Sequence, residues 1–436
     1  MNKKSLMTHL RDPFLPSSSA RPVAVAAALA ALSLPAWSGT DAEPPSSPWS
    51  IGVLETVMHD SNVFRVQDGA ALTPPASRGD WISTTGVTAS LDQPIGRERL
   101  KAAAELDWNA FRDNKQLNSS AHSLSIEGDW ATVDNLSGEI GYSNSAQLYR
   151  YNLSETEPST ERNTQTTNAG FVRFHLGGVT RWTFDAIFNG LDLGYSADPY
   201  KPRDLRRWDA SLGATYQSSA DLRLTMSDRY TKGEYPNYTV SGEFPDTVTP
   251  DHFTRNDIAL GVTLAATGAS TLRARVSLAH ENHSVIDARS FDAWSADGQW
   301  TWTPTGRTQL TLDFLRDNDT GSTESPLFSA NADARSRTAI STTVNYELTG
   351  KTKLHASATY AHRELDSSFA GNPDSTLRGT DDLWNAGIGF DYLPTRTSRI
   401  GCTISRERRR TGGDDISITY PYSATVGSCT GQIAFD

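Results

Sequence analysis

Residues 100–110 read LKAAAELDWNA, in which apolar and polar side chains alternate. Leu106 and Trp108 share one phase of the alternation, and Glu105 and Asp107 share the other. A period of two is typical of a β-strand, because successive side chains of a strand point to opposite faces of its sheet. The segment therefore predicts a strand with one apolar face and one charged face.

The same alternation returns along the chain from Trp49 onward, and helical periodicity is hard to find. Further clear examples are residues 181–189, 208–217, 256–264, 272–278, 338–347 and 384–392. About 18 such segments can be counted, each near the length that a tilted strand needs to cross the hydrocarbon layer of a membrane. The low hydrophobic fraction of 37% agrees with this interpretation, because strands that alternate lipid-facing and water-facing side chains average out as polar.

The connections between these segments alternate in length. Tight ones such as residues 93–97 and 304–307 contain Gly and Pro, and long polar ones such as residues 66–80 and 232–252 lie between them. Short periplasmic turns and long outer loops are characteristic of membrane barrels. The sequence therefore predicts an all-β fold over residues 49–436. This is a single transmembrane antiparallel β-barrel of about 18 strands, with 16 as the alternative count, short periplasmic turns and long extracellular loops.

Aromatic residues support this arrangement, because Trp and Tyr collect at both interfaces of a membrane. With the first strand starting in the periplasm, the predicted external belt comprises Trp81, Trp108, Trp208, Trp294, Tyr360 and Trp384. The predicted periplasmic belt comprises Trp130, Trp182, Trp300, Trp302, Tyr346 and Tyr392.

The N-terminus has the pattern of an export signal. Lys3 and Lys4 belong to a basic start, residues 22–34 form a short apolar run, and small residues precede a cleavage point after residue 38. We expect residues 1–38 to be a signal peptide and residues 39–48 to be a flexible segment. The expected location is the outer membrane of a Gram-negative bacterium.

Several classes of function are disfavoured by the sequence. The formal net charge of −11 argues against a nucleic-acid partner, whose phosphates need a basic surface. His280 and His283 are spaced like metal ligands, but no third ligand stands at a familiar offset. No nucleophile lies beside a base in a recognisable motif. We predict no cofactor, no metal site and no enzymatic activity.

The predicted inward face of the barrel carries charged residues of both signs. The acidic set, on the early strands, comprises Glu105, Asp107, Glu127, Asp129 and Glu139. The basic set, on the middle strands, comprises Arg173, His175, Arg181, Arg223, Arg229, Arg273 and Arg275. Walls of opposite charge suit a hydrated, hydroxyl-rich polymer moving through the lumen. The alternative is that these charges neutralise one another and keep the lumen wet.

The two cysteines, Cys402 and Cys429, share the apolar phase of neighbouring antiparallel strands. They can meet across the pair as a disulfide, or remain as two separate buried thiols.

A cluster of basic residues is expected to lead into an external loop, where it is either solvated or in contact with lipopolysaccharide phosphates or an anionic glycan. It consists of Arg406, Arg408, Arg409 and Arg410.

Residues 58–65 read MHDSNVFR, directly after the first strand. This octapeptide resembles the Asp-Ser-Asn-hydrophobic-Phe-Arg motif of EpsL-type outer-membrane barrel proteins, which accompany exopolysaccharide synthesis operons. The matching residues are Asp60, Ser61, Asn62, Phe64 and Arg65. We expect the side chains of Asp60 and Asn62 to bond the backbone of the first external loop, and Phe64 to face lipid.

The resemblance implies an outer-membrane channel for exopolysaccharide export. Its expected partners are outer-membrane lipid and lipopolysaccharide, the polysaccharide, a periplasmic polysaccharide-export protein and the outer-membrane barrel assembly machinery. The alternatives are a general diffusion or uptake porin, and a non-conducting barrel scaffold.

Overall fold

The computed structural model describes residues 47–72, 74–133, 135–149, 160–177, 181–240, 247–285, 290–318, 334–366, 378–412 and 420–435. The predicted signal peptide, and all but the last two residues of the predicted flexible segment, lie outside these ranges.

Eighteen long strands form one sheet. They are β1 (Trp49–Asp60), β2 (Asp80–Ile95), β3 (Glu98–Phe111), β4 (Ser119–Ala131), β5 (Leu136–Leu148), β6 (Thr164–Leu176), β7 (Trp182–Tyr195), β8 (Leu205–Gln217), β9 (Leu222–Tyr235), β10 (Asp251–Thr267), β11 (Ser270–His283), β12 (Phe291–Thr305), β13 (Thr308–Asp317), β14 (Ala334–Thr349), β15 (Thr352–Asp366), β16 (Arg378–Tyr392), β17 (Ser398–Gly412) and β18 (Tyr422–Phe435). Two short strands of two residues each, Thr239–Val240 and Thr247–Val248, pair with each other after β9. Two 3-10 turns cover Lys115–Leu117 and Asp198–Arg203.

Each long strand pairs antiparallel with the next, and the last strand pairs with the first. The closing ladder runs from Ile51 opposite Phe435 to Asp60 opposite Val426. Closure leaves no free edge, which matters in lipid because no water is present to satisfy an open backbone. The predicted antiparallel barrel is confirmed, with eighteen strands rather than sixteen.

The outward face is apolar. Leu212, Leu278 and Ile388 are 69%, 67% and 63% exposed, and they belong to a band of exposed apolar side chains that surrounds the barrel. A water-soluble monomer rarely leaves so much apolar surface uncovered. Acidic residues such as Glu55 and Asp228 also lie on this face. Glu55 accepts hydrogen bonds from the hydroxyls of two outward-facing residues of β2.

Aromatic side chains occupy the two ends of the apolar band. About half of each external-belt Trp side chain is exposed, and the Trp300 ring stacks on that of Trp302 at the periplasmic end. The arrangement corresponds to the two belts expected at the membrane interfaces.

The buried core lies inside the external half of the barrel. Four clusters of inward-facing or loop residues lie in this half. The largest comprises Phe64, Val66, Ile82, Phe111 and Leu117. Inward-facing side chains of the periplasmic half, by contrast, are mostly partly exposed.

Cys402 lies opposite Cys429 in the β17–β18 ladder, with their Cα atoms 4.1 Å apart. Their Sγ atoms are bonded as a disulfide, and no free cysteine remains in the described chain.

Candidate channel lumen

The lumen is lined by the strand phase opposite the apolar band. Glu105 and Asp107 alternate on β3 with the exposed Leu106 and Trp108, so their carboxylates face inward. The same alternation turns the other predicted acidic and basic strand residues toward the interior. Arg181 is the exception, because it lies exposed in the turn before β7.

Several of the predicted charges neutralise one another locally. Lys101 Nζ lies 2.8 Å from Glu127 Oε1 and 2.9 Å from Asp129 Oδ2. On the next strands, Arg173 Nη1 donates to Glu139 Oε2 at 3.2 Å. The acidic and basic sets therefore meet along the early strands instead of forming two separate walls there.

The middle strands carry a second network that the sequence analysis missed. Arg255 on β10 is almost fully buried and donates to Asp257 at 3.0 Å and to Glu281 at 3.2 Å. Arg229 binds the same Asp257 at 3.0 Å. The sequence pattern could have revealed these residues, because Arg255 and Asp257 occupy the polar phase of a strand whose apolar phase was recognised.

His280 and His283 point to opposite faces of β11 and do not share a site. His283 faces inward and contacts Glu281 at 2.8 Å and Asp251 at 2.7 Å. His280 lies on the outward face and contacts Asp292. In the described part of the chain, no three His, Cys, Asp or Glu side chains are grouped so as to hold a metal ion.

Four of the predicted residues that face inward have side chains that make no hydrogen bond or ion pair with any residue that the structure describes. They are Glu105 and Asp107 on β3, and Arg273 and Arg275 on β11. In the ring of eighteen strands, β3 and β11 are eight strands apart. The two free sets therefore lie on nearly opposite walls of the lumen.

The two sets also lie at similar depth. Glu105 is three residues to the periplasmic side of the belt residue Trp108. Arg275 is three residues to the periplasmic side of Leu278, which pairs with the belt residue Trp294. Free charges of opposite sign therefore create a field across the lumen in its middle region.

The MHDSNVFR segment turns into the mouth of the barrel. The Asp60 side chain accepts a hydrogen bond from the Asn62 backbone at 2.8 Å, and Asn62 Nδ2 donates to the Val66 carbonyl at 2.8 Å. The expectation that Phe64 faces lipid is wrong, because its side chain is 0% exposed and packs among inward-facing residues. The chain leaves the strand direction here, and Arg65 adopts a left-handed φ of 53°.

Arg65 connects this segment with β17, near the C-terminal end of the sequence. Its Nη1 lies 2.8 Å from Asp60 Oδ2, and its Nε lies 3.1 Å from Glu407 Oε2 on β17. The Tyr422 hydroxyl of β18 donates to the same Glu407. Burial opposes the charge on Arg65, but the carboxylates of Glu407 and Asp60 outweigh burial and raise the pKa of Arg65.

The basic cluster near residue 408 lies at the external end of β17 and leads toward the loop that follows, as expected. Arg409 faces inward and is buried, close to Asp381 at 3.5 Å. Arg406, Arg408 and Arg410 occupy the opposite, outward phase and are exposed.

No known protein-family profile and no curated protein sequence matches the chain. Similar folds occur among solved structures. The outer membrane protein OpdK of Pseudomonas aeruginosa is 12% identical, with 89% of this chain and 99% of that chain covered and a TM-score of 0.49. OccAB3 of Acinetobacter baumannii is 12% identical over 89% and 98% of the two chains, with a TM-score of 0.48. OccK2 (OpdF) of Pseudomonas aeruginosa, solved with glucuronate, is 11% identical over 90% and 97%, with a TM-score of 0.48.

Among the described residues, no helix is long and apolar enough to span a bilayer.

The membrane location follows from the structure of the barrel wall. A closed antiparallel barrel, an outward apolar band and aromatic residues at both ends of that band are the features of an outer-membrane protein. The protein is an integral β-barrel of the outer membrane of a Gram-negative bacterium.

Proposed function

We propose that this protein is a diffusion channel of the outer membrane for small hydrophilic solutes, without enzymatic activity. We further propose that it favours dipolar solutes, which carry a positive and a negative group. The observation that carries the proposal is the pair of free charge sets, Glu105 with Asp107 on one wall and Arg273 with Arg275 on the other.

Charged groups in a lumen with low-dielectric walls act more strongly than the same groups in bulk water. A dipolar solute can align with its anionic group toward Arg275 and its cationic group toward Glu105. This alignment offsets part of the hydration that the solute loses on entry. Solutes without charge gain nothing from the field and pass only by size.

The side chains in the external half of the lumen favour a channel for small solutes over a wide channel for a polymer. Inward-facing side chains in this half are buried on strands all around the barrel, and large ones such as Phe253, Arg363 and Leu315 are fully covered. The octapeptide that suggested exopolysaccharide export is engaged in holding the first external loop, which is a task unrelated to any particular cargo. We therefore favour the diffusion channel over polysaccharide export.

The test is conductance of the purified barrel in a planar bilayer, with no partner added. We expect discrete channel openings. If the barrel shows no conductance, the result would instead support a non-conducting barrel scaffold.

Ion selectivity then tests the transverse field. The reversal potential in a salt gradient measures the selectivity for cations over anions. The E105Q/D107N variant should become more selective for anions, and the R273Q/R275Q variant should become more selective for cations. Arg181→Gln, in a periplasmic turn, is the matched control and should leave the potential unchanged. If the barrel conducts but neither double variant moves the potential, the assignment of the field is wrong.

Liposome swelling compares a zwitterionic amino acid with an uncharged sugar of similar size. The amino acid should enter faster through the wild-type barrel, and the advantage should disappear in both double variants. A gene deletion that abolishes surface polysaccharide while its synthesis continues would instead favour the export role.

A further inference from the structure

Three arginines form a row on the outward face at the external end of β17. Arg406, Arg408 and Arg410 occupy alternate positions and are exposed, while Glu407 and Arg409 between them point into the barrel and are buried. None of the three outward arginine side chains makes an ion pair or hydrogen bond with another residue of the described ranges. We call these three residues the arginine row.

The row lies at the level where the hydrocarbon layer meets the outer headgroups. Arg408 pairs in the ladder with Trp384, a member of the external aromatic belt. Arg406 pairs with Ala386, one outward position deeper, and Arg410 lies on the solvent side of the belt. At about 3.3 Å per residue, the row spans roughly 13 Å along the strand.

Among its described ladder partners, the row faces a single charged residue. On the β18 side, Arg406 and Arg408 pair with Thr425 and Ser423, which carry no charge. On the β16 side, Arg410 pairs with Asp382. The Asp382 carboxylate already accepts hydrogen bonds from the Tyr360 hydroxyl at 2.8 Å and from a His362 ring nitrogen at 2.9 Å.

Two other outward arginines of the barrel, Arg206 and Arg316, have protein partners. Arg206 on β8 lies 3.7 Å from Asp192 and 3.6 Å from Glu234. Arg316 on β13 stacks over the Trp294 ring at 4.7 Å. The arginine row therefore differs from them both in its density of charge and in the absence of a described partner.

We propose that the arginine row binds the phosphate groups of lipid A, the anchor of lipopolysaccharide in the outer leaflet. The planar guanidinium group matches a phosphate with two parallel hydrogen bonds, and several arginines can share a diphosphorylated headgroup. The row faces sideways into the membrane, away from the lumen, and Trp384 and Ala386 beside it suit acyl chains. This orientation selects a phosphorylated lipid over a soluble anionic glycan.

The test is native mass spectrometry of the full barrel in detergent with diphosphoryl lipid A added. The R406Q/R408Q/R410Q variant should bind this lipid about tenfold more weakly, because it loses the charge-assisted hydrogen bonds to phosphate. The matched control, R206Q/K232Q/R316Q, removes three other outward basic charges and should bind like the wild type. Equal binding by the wild type and the R406Q/R408Q/R410Q variant would overturn the proposal.

A second comparison needs no variant. Wild-type barrel should bind dephosphorylated lipid A much more weakly than the diphosphoryl form, and inorganic phosphate at equal concentration should not displace the lipid. Equal binding of the two lipids would overturn the proposal, and displacement by inorganic phosphate would show a simple anion site. Planar-bilayer conductance of the arginine-row variant should stay at the wild-type value, since the row lies outside the lumen.

Discussion

Replacing Phe64 with alanine tests whether the first external loop is held inside the mouth of the barrel. The Phe64 ring is fully buried and contacts Ile82 and Phe111 on the inner wall and Leu117 in the next loop. Removing a buried phenyl ring costs about 3–5 kcal/mol. Phe64 belongs to no strand, so we expect this cost to fall on docking of the loop and not on the barrel ladder.

A loss of about 3 kcal/mol corresponds to more than a hundredfold rise in the population of the undocked loop, since each 1.4 kcal/mol is a factor of ten. Trypsin added to intact cells reports this population through cleavage after Arg78, within the same loop. Arg78 is partly held in the docked state, where its guanidinium donates to the Gln67 carbonyl at 2.6 Å. When opening is fast relative to cleavage, the cleavage rate follows the open population.

We expect F64A to be cleaved after Arg78 about a hundredfold faster than the wild type. Phe188→Ala is the matched control, because Phe188 is 51% exposed on the outward face of β7, far from the loop in sequence. Its cleavage rate should equal that of the wild type. An F64A rate within about threefold of the wild type would refute docking of the loop in the barrel mouth.

Two further predictions concern the contacts that join the ends of the chain. Arg65→Met leaves the buried Asp60 and Glu407 carboxylates without their cation and should destabilise the docked loop by about 3–5 kcal/mol in the same cleavage assay. Adding Glu407→Gln should recover part of this loss, whereas simple additivity would show that the two side chains do not interact. The C402S/C429S variant should lower the free energy of unfolding in urea by roughly 3–4 kcal/mol, because the disulfide closes a separation of 27 residues. The measurement is the urea midpoint of each protein in vesicles. Equal midpoints for the wild type and the C402S/C429S variant, or a wild-type midpoint that reductant does not change, would contradict this expectation.

The strands could be predicted because the membrane acts on each of them separately. Leu106 and Trp108 face lipid and Glu105 faces the lumen. The polarity of each strand residue therefore indicates which of the two surroundings it faces. The belts follow for the same reason, since an aromatic ring at a strand end responds only to its depth in the membrane.

The lumen could be predicted only in part. Period two places Glu139 and Arg173 on the inner face, but which charges neutralise one another depends on the register of neighbouring strands. The pairing of Lys101 with Glu127 and Asp129 is a consequence of register.

Phe64 shows the limit of inference from the sequence. Its apolar side chain suits lipid and a buried core equally, and it lies beyond the last residue of β1, where the alternation no longer applies. The next residue, Arg65, contacts Glu407 at a separation of 342 residues. Local alternation of polarity was enough to establish a membrane barrel and the face that each strand residue occupies. The docked loop arises only when closure of the barrel brings β1 and β18 together, and the neutralised charges depend on the register of neighbouring strands, because both come from contacts that no local pattern encodes.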